Sequence, residues 1–171
     1  MTAFSIAPVT NEPDLEAVRS LCWMYRDFLL NHTEIDRGIT ETFYPTAKYE
    51  SLMSGLAVEH ARPNGIILLA RDEAGALLGC GMSHALDAQT SEIKRVFVTE
   101  AARGRGLAKA LCQNLIDQAQ QDGFSRMVLD TSRNLIPAQK LYHGLGFNEC
   151  APYQAIPSHA LSHLIFFEKT L

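Results

Sequence analysis

Apolar residues recur at intervals of three and four in the first part of the chain. Over residues 15–29 this spacing predicts a long helix with one buried stripe. Residues 4–7 alternate weakly and predict a first strand, and Asn11 or Asp14 can cap the helix that follows. The segment 31–45 is polar, carries Gly38 and ends in the aromatic cluster Phe43-Tyr44-Pro45. We therefore expect a surface loop there.

The middle of the chain changes from helical spacing to short apolar runs. A second, shorter helix is predicted over about residues 46–59. Continuous apolar runs at 66–70 and 77–82 and the stretch 92–98 predict strands, because turn residues separate them. Three consecutive antiparallel strands follow from this order.

The last third alternates between helices and strands. An apolar stripe begins at Leu107 and predicts a helix that Asp122-Gly123 ends. Strands are predicted at 127–129 and 164–168, and the helix between them has Asn134 or Ser132 as its candidate cap. The complete order favours a mixed α/β sheet flanked by helices over a doubly wound parallel sheet.

Length and charge restrict the class of protein. The 171 residues, 47% of them hydrophobic, suit one domain over 1–171. A net charge of −4 provides no overall basic field for nucleic acid or an anionic membrane. It is compatible with a cationic substrate, although ordinary solubility charge explains it better.

Cysteines and the N-terminal residues bear on the compartment. Four cysteines are widely spaced without a C-x-x-C pair, so we expect reduced, mostly buried thiols and neither a zinc knuckle nor a redox motif. Residues 1–4 lack a charged region followed by an apolar run, and no apolar stretch approaches membrane-spanning length. A cytoplasmic protein without membrane partners is expected.

A glycine-rich turn is the strongest chemical signal. The run Arg103-Gly104-Arg105-Gly106-Leu107-Ala108 opens the helix that ends at Asp122. Glycines at a helix start let backbone N–H groups converge on a phosphate, and the arginines add mobile charge. Lys109 stands where a dinucleotide fingerprint needs its third glycine, and no Walker order of glycine, lysine and hydroxyl is present.

Two motifs identify the family that this turn resembles. Arg103-x-x-Gly106-x-Ala108, directly after a strand, resembles the acyl-CoA loop of the GNAT superfamily of N-acetyltransferases, written Q/R-x-x-G-x-G/A. A second pattern of that family, N-x-x-A-x-x-L-Y-x-x-x-G-F, matches from Asn134 to Phe147. The resemblance is good over residues 65–149.

The resemblance implies a fold and a donor site. The GNAT fold has a mixed, mostly antiparallel sheet of about six or seven strands with about four flanking helices. In it the strand 92–98 splays from the strand 127–129, and the pantetheine arm of acetyl-CoA fills the gap. The implied cofactor contacts are Val96, Phe97, Val98, Arg103, Gly104, Arg105, Gly106, Leu107, Ala108 and Asn134, although Asn134 can equally be a helix cap.

A base is required because an alkylamine, with a pKa of roughly 10.4, is protonated at neutral pH. Glu92 stands at the offset before Arg103 where histone acetyltransferases of this family carry a glutamate base. Desolvation beside the cofactor is expected to raise its pKa toward neutrality. An ion pair with Lys94 or Arg95, or ordered water as the base, is the alternative. Strand alternation places Glu92 with Lys94, Val96 and Val98 on one face unless the bulge known in the family intervenes.

The leaving thiolate needs a proton or a hydrogen bond. Tyr142 occupies the L-Y position from which the family's tyrosine reaches the thioester sulfur, and a buried core ring is the alternative. The resemblance also makes four aromatic residues candidate acceptor contacts, although packing explains each as well; they are Tyr25, Phe43, Tyr44 and Tyr49. His159 and His163 lack a matching carboxylate, so no metal is assigned.

The resulting hypothesis is an acetyl-CoA-dependent N-acetyltransferase that acts on a primary amine by direct attack in a ternary complex. A small-molecule acceptor is favoured, because no acidic run suits a basic peptide, and a protein lysine or N-terminal acetyltransferase is the alternative. A non-catalytic acyl-CoA sensor belongs to another class, as does nucleic-acid binding through the local positive charge near Arg103. The expected assembly is a monomer or a homodimer.

Overall fold

One seven-stranded mixed sheet forms the centre of the molecule. The computed structural model describes residues 3–171, so Met1 and Thr2 of the N-terminal segment lie outside the described residues. The strand order is β1-β2-β3-β4-β5-β7-β6, and β4–β5 is the parallel pair among otherwise antiparallel neighbours. This confirms the predicted fold class. The strands are β1 (Phe4–Pro8), β2 (Ile66–Asp72), β3 (Leu77–Ala85), β4 (Thr90–Val98), β5 (Arg126–Ser132), β6 (Asn148–Cys150) and β7 (Leu164–Thr170).

Helices flank this sheet. Asn11 caps the first helix, because its side chain accepts a hydrogen bond from the Asp14 backbone N–H at 2.9 Å. A short 3₁₀ turn, Glu100–Ala102, precedes the glycine-rich turn. No helix within residues 3–171 combines the length and apolar character needed to span a membrane. The helices are α1 (Glu12–His32), α2 (Glu34–Phe43), α3 (Thr46–Glu59), α4 (Leu107–Gln121), α5 (Ile136–Gly144) and α6 (Ser158–Leu161).

The prediction of a loop over 31–45 is wrong, because α2 occupies most of that segment. The Thr33 side chain caps α2 by accepting from the Asp36 backbone N–H at 3.0 Å. The residues that α2 buries are polar, Asp36 and Thr40. Its apolar residues Ile35, Ile39 and Phe43 recur at intervals of four, but they are few among polar residues and Gly38, so the polar composition concealed the helix.

The predicted cap of α5 is also wrong. Leu135 is the N-cap, and no side-chain hydrogen bond caps this helix. Ser132 instead accepts from the Asn134 backbone N–H at 3.1 Å and donates to the Asp36 carboxylate. Its hydroxyl is thus used in the turn before the helix and in the contact with α2.

Two hydrophobic clusters cover opposite faces of the sheet. One holds Leu68 and Leu115 with much of α4 and α5, and the other holds Leu69 and Leu21 with α1 and α3. Neighbouring residues of β2 enter different clusters because side chains alternate along a strand. The cysteines are free, and all but Cys150 are buried, as predicted.

Two irregularities distort β4: a bulge within the strand and a splay away from β5. Arg95 and Val96 stand opposite the single residue Gly81, and Arg95 has a φ of 51°. Beyond the bulge Val96 and Val98 pack in the α4 cluster, whereas Glu92 faces His84 near the end of α3. The bulge therefore separates Glu92 and Lys94 from Val96 and Val98.

The splay confirms the expected gap between β4 and β5. Their parallel pairing covers Thr90 to Glu92 on β4 and stops at the pair Glu92–Val128. From there β5 continues along β7, while β4 turns away toward the glycine-rich turn. The edge of β4 after Glu92 is thereby left for another hydrogen-bonding partner.

Candidate active site

A cleft of about 440 Å³ opens at the splay beside the glycine-rich turn. We call it the loop cleft. Of the predicted cofactor contacts, Arg105 and Asn134 are not among its lining residues. The others all line it, together with Lys109 and Tyr142: Val96, Phe97, Val98, Arg103, Gly104, Gly106, Leu107 and Ala108.

The glycine-rich turn has the backbone that a phosphate cradle needs. Gly104 and Gly106 have φ values of 73° and 77°, in the region that favours glycine. Gly106 is the N-cap of α4, and no side chain caps that helix start. The first N–H groups of α4 and its dipole are thus available to an anion in the loop cleft.

Arg103 is held at the rim of the loop cleft. Its Nε donates to the Val98 carbonyl at 3.4 Å, and its guanidinium lies 5.0 Å from the centre of the Phe28 ring. This arrangement places a cation beside the first turn of α4. The Asn134 side chain instead interacts with Asp36, where its hydrogen bond helps to lower the pKa of that carboxyl.

Tyr142 lies on α5 and lines the loop cleft. Its ring packs against Phe147 and Phe167 at centroid distances of 6.0 and 5.7 Å. Burial raises the pKa of Tyr142 well above its ordinary value. The phenol therefore stays protonated and can donate a hydrogen bond into the cleft.

A smaller cavity of about 140 Å³ lies next to the loop cleft and shares Tyr25, Thr131 and Leu135 with it. We call it the aromatic cavity. Residues of α1, α2, α3, β4, β5 and β7 form its walls, together with Gln154 and Ile156. All four aromatic residues that the family resemblance made acceptor contacts line it: Tyr25, Phe43, Tyr44 and Tyr49.

Five charged residues line the aromatic cavity, and two of them are structural. Arg26 donates to the Tyr44 carbonyl at 3.0 Å, and Asp36 lies 2.7 Å from His32 Nδ1 and also accepts from Ser132. The other three are the groups that can meet a ligand: Lys94, Arg95 and Asp130.

Glu92 is buried, with 2% of its side chain exposed, and is not among the residues that line the aromatic cavity. Its carboxylate lies 2.7 Å from His84 Nε2, 2.5 Å from the Tyr153 hydroxyl and 3.5 Å from Lys94 Nζ. Burial alone would raise the pKa of Glu92, but the hydrogen bond from His84 and the charge of Lys94 lower it overall. The expected rise in its pKa is therefore wrong, and the ion pair with Lys94 is present.

Asp130, at the mouth of the splay, has the opposite environment. Gln154 Nε2 donates to its carboxylate at 3.0 Å, and the Tyr153 hydroxyl lies 3.4 Å away. Burial raises the pKa of Asp130 although Lys94 opposes the rise. Sequence reasoning did not select Asp130, His84 or Tyr153. A carboxylate at the end of a buried strand was the available signal for Asp130.

Comparisons with known proteins agree with this geometry. The sequence model of the acetyltransferase (GNAT) family matches residues 24–147. An uncharacterized N-acetyltransferase of Schizosaccharomyces pombe is 39% identical over 100 residues, which are 58% of this chain and 61% of that relative. This match thus covers less than two thirds of that relative's length.

Solved structures show the same fold at low identity. An acetyltransferase from Streptococcus agalactiae superposes with a TM-score of 0.75 at 17% identity, covering 98% of both chains. A phosphinothricin acetyltransferase from Sinorhizobium meliloti, solved with acetyl-CoA, has a TM-score of 0.70 at 20% identity and covers 100% of this chain and 89% of its own. With the family match over most of the chain, these findings show that the protein belongs to the acetyltransferase (GNAT) family.

Proposed function

We propose that this protein transfers an acetyl group from acetyl-CoA to the primary amine of a small molecule, by direct attack in a ternary complex. The observation that carries the proposal is the junction of the loop cleft and the aromatic cavity at the splay of β4 and β5. A protonated phenol, Tyr142, lines one chamber, and a desolvated carboxylate, Asp130, lines the other. A small acceptor is favoured over a basic peptide because the sequence carries no acidic run that would bind one.

The loop cleft suits the donor. The N–H groups at the start of α4 and the Arg103 guanidinium would bind the pyrophosphate. The edge of β4 after Glu92 would pair with the amides of the pantetheine arm. The backbone groups in these two interactions are held in place by the glycines at the start of α4 and by the bulge in β4.

Proton removal from the amine is assigned to Asp130, which lines the aromatic cavity. The Tyr153 hydroxyl lies between Asp130 and Glu92 and links them, and Glu92 in turn contacts His84. A proton taken by Asp130 can move through the Tyr153 hydroxyl to the Glu92–His84 pair. Glu92 thus keeps a part in proton removal, as a relay behind the residue that meets the amine.

The transfer forms one C–N bond and breaks one C–S bond. The amine lone pair attacks the thioester carbon and a C–N bond forms. The tetrahedral intermediate then loses one N–H proton to Asp130, and its C–S bond breaks to expel the CoA thiolate. Tyr142 donates a hydrogen bond to that sulfur and keeps its proton, since burial raises the pKa of the phenol well above that of a thiol. Neither step requires a covalent acyl-enzyme.

Thiol release from acetyl-CoA tests the proposal. The protein is incubated with acetyl-CoA and a panel of amines and amino acids, and its affinity for acetyl-CoA is measured separately. We expect release that depends on the acceptor. Tight acetyl-CoA binding without release for any acceptor would instead identify a sensor module, and release only with peptides would identify a protein acetyltransferase.

A further inference from the structure

We infer that the amine acceptor also carries a carboxylate, which Arg95 and Lys94 bind in the aromatic cavity. The acceptor class is therefore the free amino acid or a close analogue. This inference rests on the proposed function and names its substrate class.

Arg95 is an unusual residue for a cavity wall. It is a non-glycine residue at a φ of 51°, in a conformation that persists only where the surroundings enforce it. The bulge places its guanidinium 6.0 Å from the ring centres of both Tyr44 and Tyr49. The strand thus deviates from regular pairing at the residue that directs a cation into the aromatic cavity.

Among residues 3–171 the Arg95 guanidinium makes no ion pair, although the charge of Glu59 acts on it from a distance. Its Nη1 is buried and has no hydrogen-bond partner within residues 3–171. A buried cationic donor without a partner is costly, and a bidentate carboxylate is the ligand that matches a guanidinium best. A ligand carboxylate would supply what this part of the cavity lacks.

The neighbouring charges define the polarity of the ligand. Lys94 adds a second cation on the β4 wall, and its ion-pair partner Glu92 lies outside the cavity lining at 3.5 Å. Asp130 supplies the anion on the β5 wall. A molecule with a carboxylate toward β4 and an amine toward β5 matches both walls, and this is the charge pattern of an amino acid.

Other amines fit this pattern less well. A simple alkylamine would leave Arg95 Nη1 unpaired, and a polyamine would place a second cation beside Arg95 and Lys94. The remaining walls include Leu29, Ile39 and Ile156. They accommodate an apolar side chain, so leucine and phenylalanine are the first substrates to test.

Matched acceptors provide the test. Thiol release is measured for L-leucine against isoamylamine and for L-phenylalanine against phenethylamine, so that each pair differs by the carboxylate. The expected kcat/KM is about 10- to 100-fold higher for the amino acid, as for one charge-assisted pair. Equal or faster reaction of the decarboxylated amines overturns this inference and leaves the proposed function standing. Absence of release with every acceptor overturns the proposed function itself.

Variants assign the effect to Arg95. Arg95→Gln is expected to raise the KM for the amino acid about 10- to 100-fold more than the KM for the matched amine, without changing the KM for acetyl-CoA. Arg95→Lys should restore part of the loss. Arg133→Gln is the control, because Arg133 is exposed and does not line the cavity. An equal loss for both members of a pair contradicts the assignment. If Arg95→Gln does not fold, Lys94→Gln is measured with the same amino acid and amine pairs, and an equal loss for both members again contradicts the inference.

Discussion

The loop cleft and the aromatic cavity meet at one strand splay but are built in different ways. The phosphate end of the loop cleft comes from one continuous segment, residues 103–109, whose glycines and helix start set the backbone. The aromatic cavity takes residues from α1, α2, α3, β4, β5, β7 and the segment 154–156. Recognition of the donor therefore depends on local backbone geometry, and recognition of the acceptor depends on side chains that only the tertiary fold brings together.

Asp130→Asn should have the largest effect. It removes the proposed proton acceptor of the aromatic cavity, so we expect kcat to fall about 10²- to 10⁴-fold with unchanged acetyl-CoA affinity. Because burial raises the pKa of Asp130, the folded state loses stability as pH rises and this carboxyl ionises. The Asn variant should therefore be at least as thermostable as the parent at neutral pH. Steady-state kinetics and thermal melts measure both.

Protonation of Asp130 should also make the activity fall at low pH. Asp130 must be ionised to accept a proton, so kcat/KM should fall as pH drops through a pKa above the ordinary value of 3.8. Asp27→Asn, at an exposed site of α1, is the control and should keep the parent profile. If Asp130→Asn kept full activity across the pH range, another group would have to be the base.

Tyr142→Phe tests the loop-cleft side of the chemistry. Removing the hydroxyl should lower kcat about 10- to 100-fold, because the thiolate loses its donor, while the ring keeps its contacts with Phe147 and Phe167. Acetyl-CoA affinity, measured by calorimetry, should not change. A weaker affinity with unchanged kcat would make Tyr142 a binding residue only.

Gly106→Ala tests whether the donor site depends on backbone conformation. An alanine at a φ of 77° costs about 1–2 kcal/mol, so acetyl-CoA should bind roughly tenfold more weakly, or the melting temperature should fall. Gly38→Ala is the matched control, because Gly38 lies in α2 with open space around it; it should stabilise the protein by about 0.5–1 kcal/mol. Unchanged binding and stability in Gly106→Ala would contradict the cradle.

Glu92→Gln should have the smallest effect on catalysis and a distinct effect on stability. Because the folded state lowers the pKa of Glu92, the carboxylate contributes stability above its ordinary value of 4.5 and loses that contribution as pH falls. The Gln variant should be less stable at neutral pH by about 1–3 kcal/mol and should lose less stability on acidification. Urea denaturation at several pH values measures the free energy of unfolding of both proteins. An equal loss of stability in both as the pH falls would contradict this prediction.

The contrast between the two chambers also explains what could be predicted. The glycine-rich turn and the motif from Asn134 to Phe147 are local, and they led to the fold, the loop cleft and the place of Tyr142. The helix α2 was missed although Ile35, Ile39 and Phe43 recur at intervals of four, because polar residues and Gly38 dominate the segment. Short-range patterns therefore identify the parts of this protein that local backbone determines.

The acceptor side could not be predicted because its contacts are distant in sequence. Tyr153 reaches Glu92 across 61 residues, and the bulge at Arg95 decides which face of β4 each side chain takes. The pKa of Glu92 follows from His84 and Lys94, whose contact with it depends on strand register. Neither motif includes these contacts.

Mass spectrometry of a reaction with acetyl-CoA and L-leucine or L-phenylalanine decides whether the acetyl group passes directly from donor to acceptor. We expect an N-acetylated amino acid in the same amount as the released CoA, with the protein mass unchanged when acetyl-CoA is added alone. CoA release without an N-acetylated product, or a protein that gains one acetyl group and then passes it to the acceptor, would contradict direct transfer between the two chambers.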